Sequence, residues 1–122
     1  MGLWANEELD AIGAAEELDL ASVRGDGSLR NPVTMWVVRV GDDVYVRSVN
    51  GRESSWFRGV QARHQARIQA GGVEKDVDLT ETDATDEVDT AYREKYSRRY
   101  PSIVPSIVAP EARAATLKLS PR

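Results

Sequence analysis

Pro32-Val33-Thr34-Met35-Trp36-Val37-Val38-Arg39-Val40 is the most apolar and most β-branched stretch of the chain. Such side chains fit a pleated strand, and a run with so few polar interruptions reads as a strand covered on both faces. Gly41-Asp42-Asp43 supplies a tight turn, after which Val44, Val46 and Ser48 alternate with Tyr45, Arg47 and Val49. A period of two beside a Gly-Asp turn predicts an antiparallel hairpin.

Outward from this hairpin the pattern continues on both sides. Leu18 and Leu20 alternate with Asp19 and Ala21, predicting a strand to about Val23 that ends in the turn Arg24-Gly25-Asp26-Gly27-Ser28. Before it, Asn6 is placed to cap a helix carrying Glu7 and Glu8 in its first turn and Leu9 and Ile12 on one face, with Gly13 as its stop. After the hairpin, Asn50-Gly51-Arg52 breaks the strand. Ser54 then caps a helix whose buried stripe is Trp56, Phe57 and Val60. Ala66 to Ala70 and Val73 to Glu81 form a second hairpin about Gly71-Gly72, in which Lys75 interrupts the apolar series Val73, Val77, Leu79.

Thr82 or Asp83 is placed to begin a helix through Val88, Ala91, Tyr92, Lys95 and Tyr96, supported by the pairs Asp89/Arg93 and Glu94/Arg98. Pro101, Pro105 and Pro110 then predict extended chain crossing the surface, and Ala114 to Leu119 a last strand. The sum is an α+β fold: a six-stranded, mostly antiparallel split β-barrel with two or three flanking helices, one domain over residues 1–122.

The 122 residues suffice to bury about two-thirds of the unfolded surface. Cysteine is absent, which excludes disulfides, thiol nucleophiles and thiolate metal sites. The N-terminal stretch lacks a basic flank followed by an apolar run, so a cytoplasmic protein without membrane partners is expected. A net charge of −4 argues against a dedicated nucleic-acid binder. That average hides a division: seven acids and one base over 1–26, eight acids and one base over 74–89, but eight arginines against four acids over 24–67. Arginines converging from this middle segment would hold an anion; the alternative is a set of solvated faces paired with the acidic segments.

Particular residues carry a resemblance. Gly27-Ser28-Leu29-Arg30-x-Pro32-Val33 leads into the long strand and Val46-Arg47-Ser48-Val49-Asn50-Gly51 closes the hairpin. Ser55-Trp56-Phe57 opens the helix, and a tyrosine-rich helix precedes the last strand. In that order they resemble the split β-barrel superfamily of flavin- and deazaflavin-binding proteins, in its nitroreductase-like branch common in actinobacteria. More closely they resemble a related domain-of-unknown-function family, over roughly 27–119. The resemblance implies a homodimer with a small-molecule site, FMN or deazaflavin as cofactor, and a phosphate cradle falling on Arg30, Ser48, Asn50, Gly51, Arg52, Trp56 and Arg58. It implies a substrate pocket walled by Trp36, Tyr96 and Tyr100. The chain departs from the branch at Val49, where a basic residue is usual, at Asn50, where a second glycine is usual, and over Gly59 to Gln65.

Beyond the resemblance, candidate chemistry is sparse. His64 stands alone, without the acidic neighbours of a metal site, and reads as an exposed helix-end residue. Ser48 and Ser54 have no histidine-carboxylate partner in view, and Ser54 reads as a cap. Tyr92, Tyr96 and Tyr100 recur at helical spacing, either packing on the barrel or presenting a phenol to a pocket, and Trp36 faces the same choice. Two functions follow: a reductase-like protein whose bound cofactor carries the hydride, or a cofactor-free barrel binding a metabolite. A structural or interaction role is a third.

Overall fold

In a computed structural model, which describes residues 3–83 and 85–122, the decisive stretch is two strands and not one. β2 (Val33–Met35) and β3 (Val38–Val40) flank a break at Trp36-Val37. The remaining strands are β1 (Leu18–Ser22), β4 (Asp43–Arg47), β5 (Gln65–Ala70), β6 (Val73–Glu81) and β7 (Thr116–Pro121). They form one antiparallel sheet in the order β2-β1-β5-β6-β7-β4-β3.

β2 and β3, adjacent in sequence, therefore occupy opposite edges of a seven-stranded sheet. Three peptide steps from Met35 to Val38 span at most about 11 Å, so the sheet must curl until its edges nearly meet. One stretch of chain joins the two edges, and the two pairings it makes, with β1 and β4, raise the strand count from six to seven. The expectation of a strand covered on both faces fails: Val33 and Thr34 are exposed, because β2 is an edge.

Inside the curl lies the main core, with Leu18, Leu20, Val37, Val44, Val46, Ile68, Val77, Leu79, Leu117 and Leu119. Leu9 and Ile12 of α1 (Asn6–Ala14) and Phe57 and Val60 of α2 (Ser55–Arg63) close its ends. A second layer packs on the outer face of β3 and β4: Val88, Tyr92 and Tyr96 of α3 (Asp86–Tyr96), Val104 and Ile107 of α4 (Val104–Ile107) and Ala112 of α5 (Pro110–Arg113). Strand alternation assigns Val37 to the first core and Val38 to the second.

Several local expectations hold. The β3–β4 and β5–β6 hairpins form in the predicted places. Ser54 caps α2, its Oγ accepting from Phe57 N at 3.4 Å. His64 ends that helix in the left-handed region, exposed. Lys75 belongs to the inner row of β6 after all, its ammonium donating to Glu8 of α1 at 2.5 Å.

Other expectations are corrected. Asn6 is the first helical residue, not the cap, and the free amide of Ala5 is met by the Glu8 carboxylate at 3.0 Å. Gly13 does not stop α1; a Cβ there would come within 3.3 Å of the Arg39 side chain that lies across it. α3 starts at neither Thr82 nor Asp83, because Thr85 accepts from Val88 N and serves as its cap. Asp89 pairs with Arg47 and Arg113, not Arg93. The proline stretch is not extended, since Pro105 and Pro110 sit in the first turns of α4 and α5, where the missing N–H has no partner to lose. Counting these, five α-helices flank the sheet among the described residues. Among the described residues no helix is long and apolar enough to cross a membrane, and no three metal-ligating side chains cluster.

Candidate functional site

The strand break is a built feature. Where β2 ends, the backbone of Val37 has lost its ladder, and α3 supplies replacements: Val37 N donates to the Tyr96 phenol at 3.1 Å, and Lys95 Nζ donates to Val37 O at 2.6 Å. The Tyr96 hydroxyl donates onward to Glu16 O at 2.7 Å. Trp36 is thereby laid flat on Tyr96, centroids 4.1 Å apart and planes 6° apart, with Tyr100 tilted beside it at 5.3 Å. Tyr100 is held in turn by the Glu16 carboxylate at 2.5 Å, which also takes Arg99. Burial pushes the Tyr96 phenol up to about 12 and the Lys95 ammonium down to about 8.

The loop from β4 to α2 forms the facing wall. Ser48 Oγ and Ser54 Oγ are 2.8 Å apart, joining the end of the strand to the helix cap. Gly51, at φ 78°, turns the chain back, its N–H donating to Ser48 O at 3.0 Å. This carries Asn50 and Trp56 to the mouth of a cavity of about 320 Å³. Trp36 and Trp56 wall it with Met35, Val49 and Ile107. Of the four exposed large hydrophobics among the described residues, Val33, Val49 and Ile103 rim this one cavity.

One cation shares that wall. Arg47 points to the outer face of β4, and its side chain is fully buried. Its Nε donates to Thr116 Oγ1 at 2.9 Å, and its Nη1 to Asp89 Oδ1 at 2.5 Å and Ile107 O at 3.2 Å. The guanidinium also lies 5.6 Å over the Tyr92 ring. Asp89 is shared with Arg113. Arg47 Nη2 is buried without a hydrogen-bond partner.

The residues assigned by resemblance divide. Trp36, Asn50 and Trp56 come together at the cavity. Tyr96 and Tyr100 stand behind Trp36 and do not line it. Arg30 is spent on Ser22 Oγ and Val23 O at 3.3 and 3.1 Å, lodged against Gly59. Arg52 lies elsewhere, paired with Glu81 at 2.6 Å and with Ala114 O at 3.1 Å, in a groove shared with Asp83. Arg58 is exposed on α2. Arg30 and Arg52 line different depressions. Sequence reasoning passed over Arg47 as a site residue; the available signal was an arginine on a strand face between Tyr45 and Val49, opposite a helix rich in tyrosine.

Residues 8–119 match a protein-family profile. The chain belongs to DUF2255, a family described as uncharacterized protein conserved in bacteria. No curated protein sequence matches it significantly. Solved structures similar to this DUF2255 chain share its architecture at low identity. A conserved hypothetical protein from Mycobacterium tuberculosis aligns at TM-score 0.64 and 9% identity, covering 99% of this chain and 82% of that one. An F420 reductase aligns at 0.57 and 18%, covering 93% and 91%. HutZ, a heme storage protein from Vibrio cholerae, aligns at 0.58 and 15%, covering 100% and 92%. At such identities the likeness carries the fold alone: DUF2255 has the split-barrel fold of these proteins.

Proposed function

We propose that this DUF2255 chain is a small-molecule-binding split barrel without redox chemistry of its own, its ligand lying in the cavity walled by Trp36 and Trp56. One observation carries the reading: a cavity of about 320 Å³ with two indoles in its wall and an apolar rim. Ligand pockets are mostly apolar, with a few placed polar groups, and run from about 300 to 1,000 Å³, so this one suits a small ligand.

A flavin or deazaflavin needs a ring slot and a phosphate grip. The indole walls provide the first. Two of the arginines assigned to the second, Arg30 and Arg52, are spent on different parts of the barrel, Arg52 beside Glu81, which leaves Arg58 alone for the grip. The reductase-like reading keeps one observation in its favour: Asn50 and Trp56, placed by resemblance at the cofactor, do line the cavity. A second copy of the chain covering Val33, Val49 and Ile103 would complete the rim, and light scattering is then expected to give the dimer mass. A cytoplasmic setting, with neither nucleic acid nor membrane as partner, belongs to the same reading.

Tryptophan emission tests the choice. Trp4→Phe removes the third indole, which lies away from the cavity and donates to Leu119 O. In that background, planar aromatic ligands are expected to shift the emission saturably, and FMN or reduced deazaflavin to leave it unchanged up to ~0.1 mM. A yellow preparation, or saturable flavin quenching, would decide for the reductase-like reading. Silence with every ligand would remove both.

A further inference from the structure

Arg47 is the one charged residue in the wall of a mostly apolar cavity, and it has donors to spare. A guanidinium carries five N–H groups. Thr116 takes the one on Nε, and Asp89 and Ile107 O take the two on Nη1. The two on Nη2 have no acceptor. A buried charged donor left unpaired is costly, and proteins rarely keep one without a use.

The charges point the same way. Arg47 and Arg113 share the carboxylate of Asp89, so one carboxylate serves two cations, of which Arg47 is fully buried and Arg113 partly exposed. Asp86 lies 3.6 Å from Arg113, but its side chain is 98% exposed and water screens it. Arg113 is partly open to water and lines the groove of Arg52, so of the two cations only Arg47 stands in the wall of the cavity.

Resting on the cavity reading above, we propose that Arg47 anchors the ligand, and that the ligand is a small planar aromatic monocarboxylate. Its ring lies against Trp36 and Trp56 and its carboxylate accepts from Arg47 Nη2. One idle amino group with two N–H donors matches one carboxylate. A phosphate would bring further charge to a wall that has no second unpaired cation. Nη2 is sealed from water, so the carboxylate must displace wall atoms to reach it. Ile107, in a helix of four residues, is the neighbouring wall residue that would have to give way.

The test compares 2-naphthoate with 2-naphthamide, which share a ring system and differ in charge, by tryptophan emission of the Trp4→Phe protein at pH 7. The carboxylate is expected to bind about 10-fold to 100-fold more tightly, the range of a charge-assisted hydrogen bond. Arg47→Met, checked for native circular dichroism, is expected to abolish the difference. In case that variant does not fold, side-chain nitrogen NMR of the Trp4→Phe protein gives the same answer: the Arg47 Nη signals shift with naphthoate and not with naphthamide. Equal affinities, unmoved Nη signals, or a preference that survives in folded Arg47→Met overturn the anchor while leaving the cavity reading intact. If neither compound perturbs the emission, the anchor and the cavity reading fall together.

Discussion

Replacing Tyr96 by Phe isolates the contact that holds the strand break. The ring stays, so its stack on Trp36 at 4.1 Å survives; the hydroxyl goes, and with it the acceptor for Val37 N and the donor to Glu16 O. Val37 is fully buried, so its amide has no water to turn to. An unsatisfied buried amide costs about 1–3 kcal/mol and a lost ordinary hydrogen bond about 0.5–1.5 kcal/mol. Together these give ~2–4 kcal/mol, a large share of the stability of a domain this size, and lower the melting temperature by roughly 10 °C. Tyr100→Phe is the internal control: Tyr100 also bonds Glu16, but through a carboxylate open to water, and its loss should stay below ~1 kcal/mol. Urea unfolding followed by far-UV circular dichroism measures both. A Tyr96→Phe protein within ~0.5 kcal/mol of wild type, or no less stable than Tyr100→Phe, would show that the break at Trp36-Val37 is held by something else.

Gly71→Ala should destabilise by more than ~2 kcal/mol while Gly72→Ala costs about 1 kcal/mol, because both have positive φ but only the first would drive a Cβ to 2.3 Å from Ala11 O; thermal melts rank them. Thr85→Ala should remove about 1 kcal/mol by taking the cap from Val88 N, with Thr85→Ser restoring most of it in urea titrations. Lys95 gives a pH signature. Burial holds its folded pKa at about 8, below its unfolded value of 10.5. Between those values the unfolded chain binds the extra proton, so stability rises with pH from about 8 toward 10.5. Lys95→Met should flatten that rise. Parallel slopes for the two proteins in urea midpoints at pH 7, 8, 9 and 10 would refute the assignment.

How much of this was legible in the residues depended on whether the signal was local. The β3–β4 and β5–β6 hairpins are signalled by a two-residue period and Gly-containing turns, and both form where expected. Ser54 as a cap is equally local. The split of 32–40 is not local: nothing in Trp36-Val37 breaks a strand, and the break is made by Tyr96 and Lys95, some 59 positions away. The proline stretch misled because prolines forbid helix interiors, whereas Pro105 and Pro110 occupy first turns. At the site, Trp36, Asn50 and Trp56 were legible through the resemblance, while Arg47 was hidden by a strand alternation that makes an outward face look solvated until a helical layer covers it.

The arginine-rich middle of the chain shows why density of charge does not locate an anion site. Arg24 reaches Leu29 O, Arg30 reaches Val23 O, Arg39 reaches Gly41 O, Arg52 reaches Ala114 O, and Arg63 reaches the carbonyls of Arg24 and Gly25. Arg67 completes a cross-strand pair with Asp76, which holds that carboxyl below the usual range. A curled sheet built from short strands ends often, and each end leaves carbonyls that a long planar donor can satisfy from a distance. Five of the eight arginines are used in this way: Arg24, Arg30 and Arg63 around the one turn at 23–29, Arg39 at Gly41 and Arg52 at Ala114, so their closeness in sequence does not gather them at one cavity. Arg58 is exposed and owes nothing to the fold. Arg47 differs by environment and not by neighbourhood: it is fully buried, its carboxylate is shared with a second cation, and its last amino group is idle. In an arginine-rich chain the informative guanidinium is the one whose donors exceed its structural duties, and that excess, beside an indole-walled cavity, is what any anionic ligand of this barrel would meet.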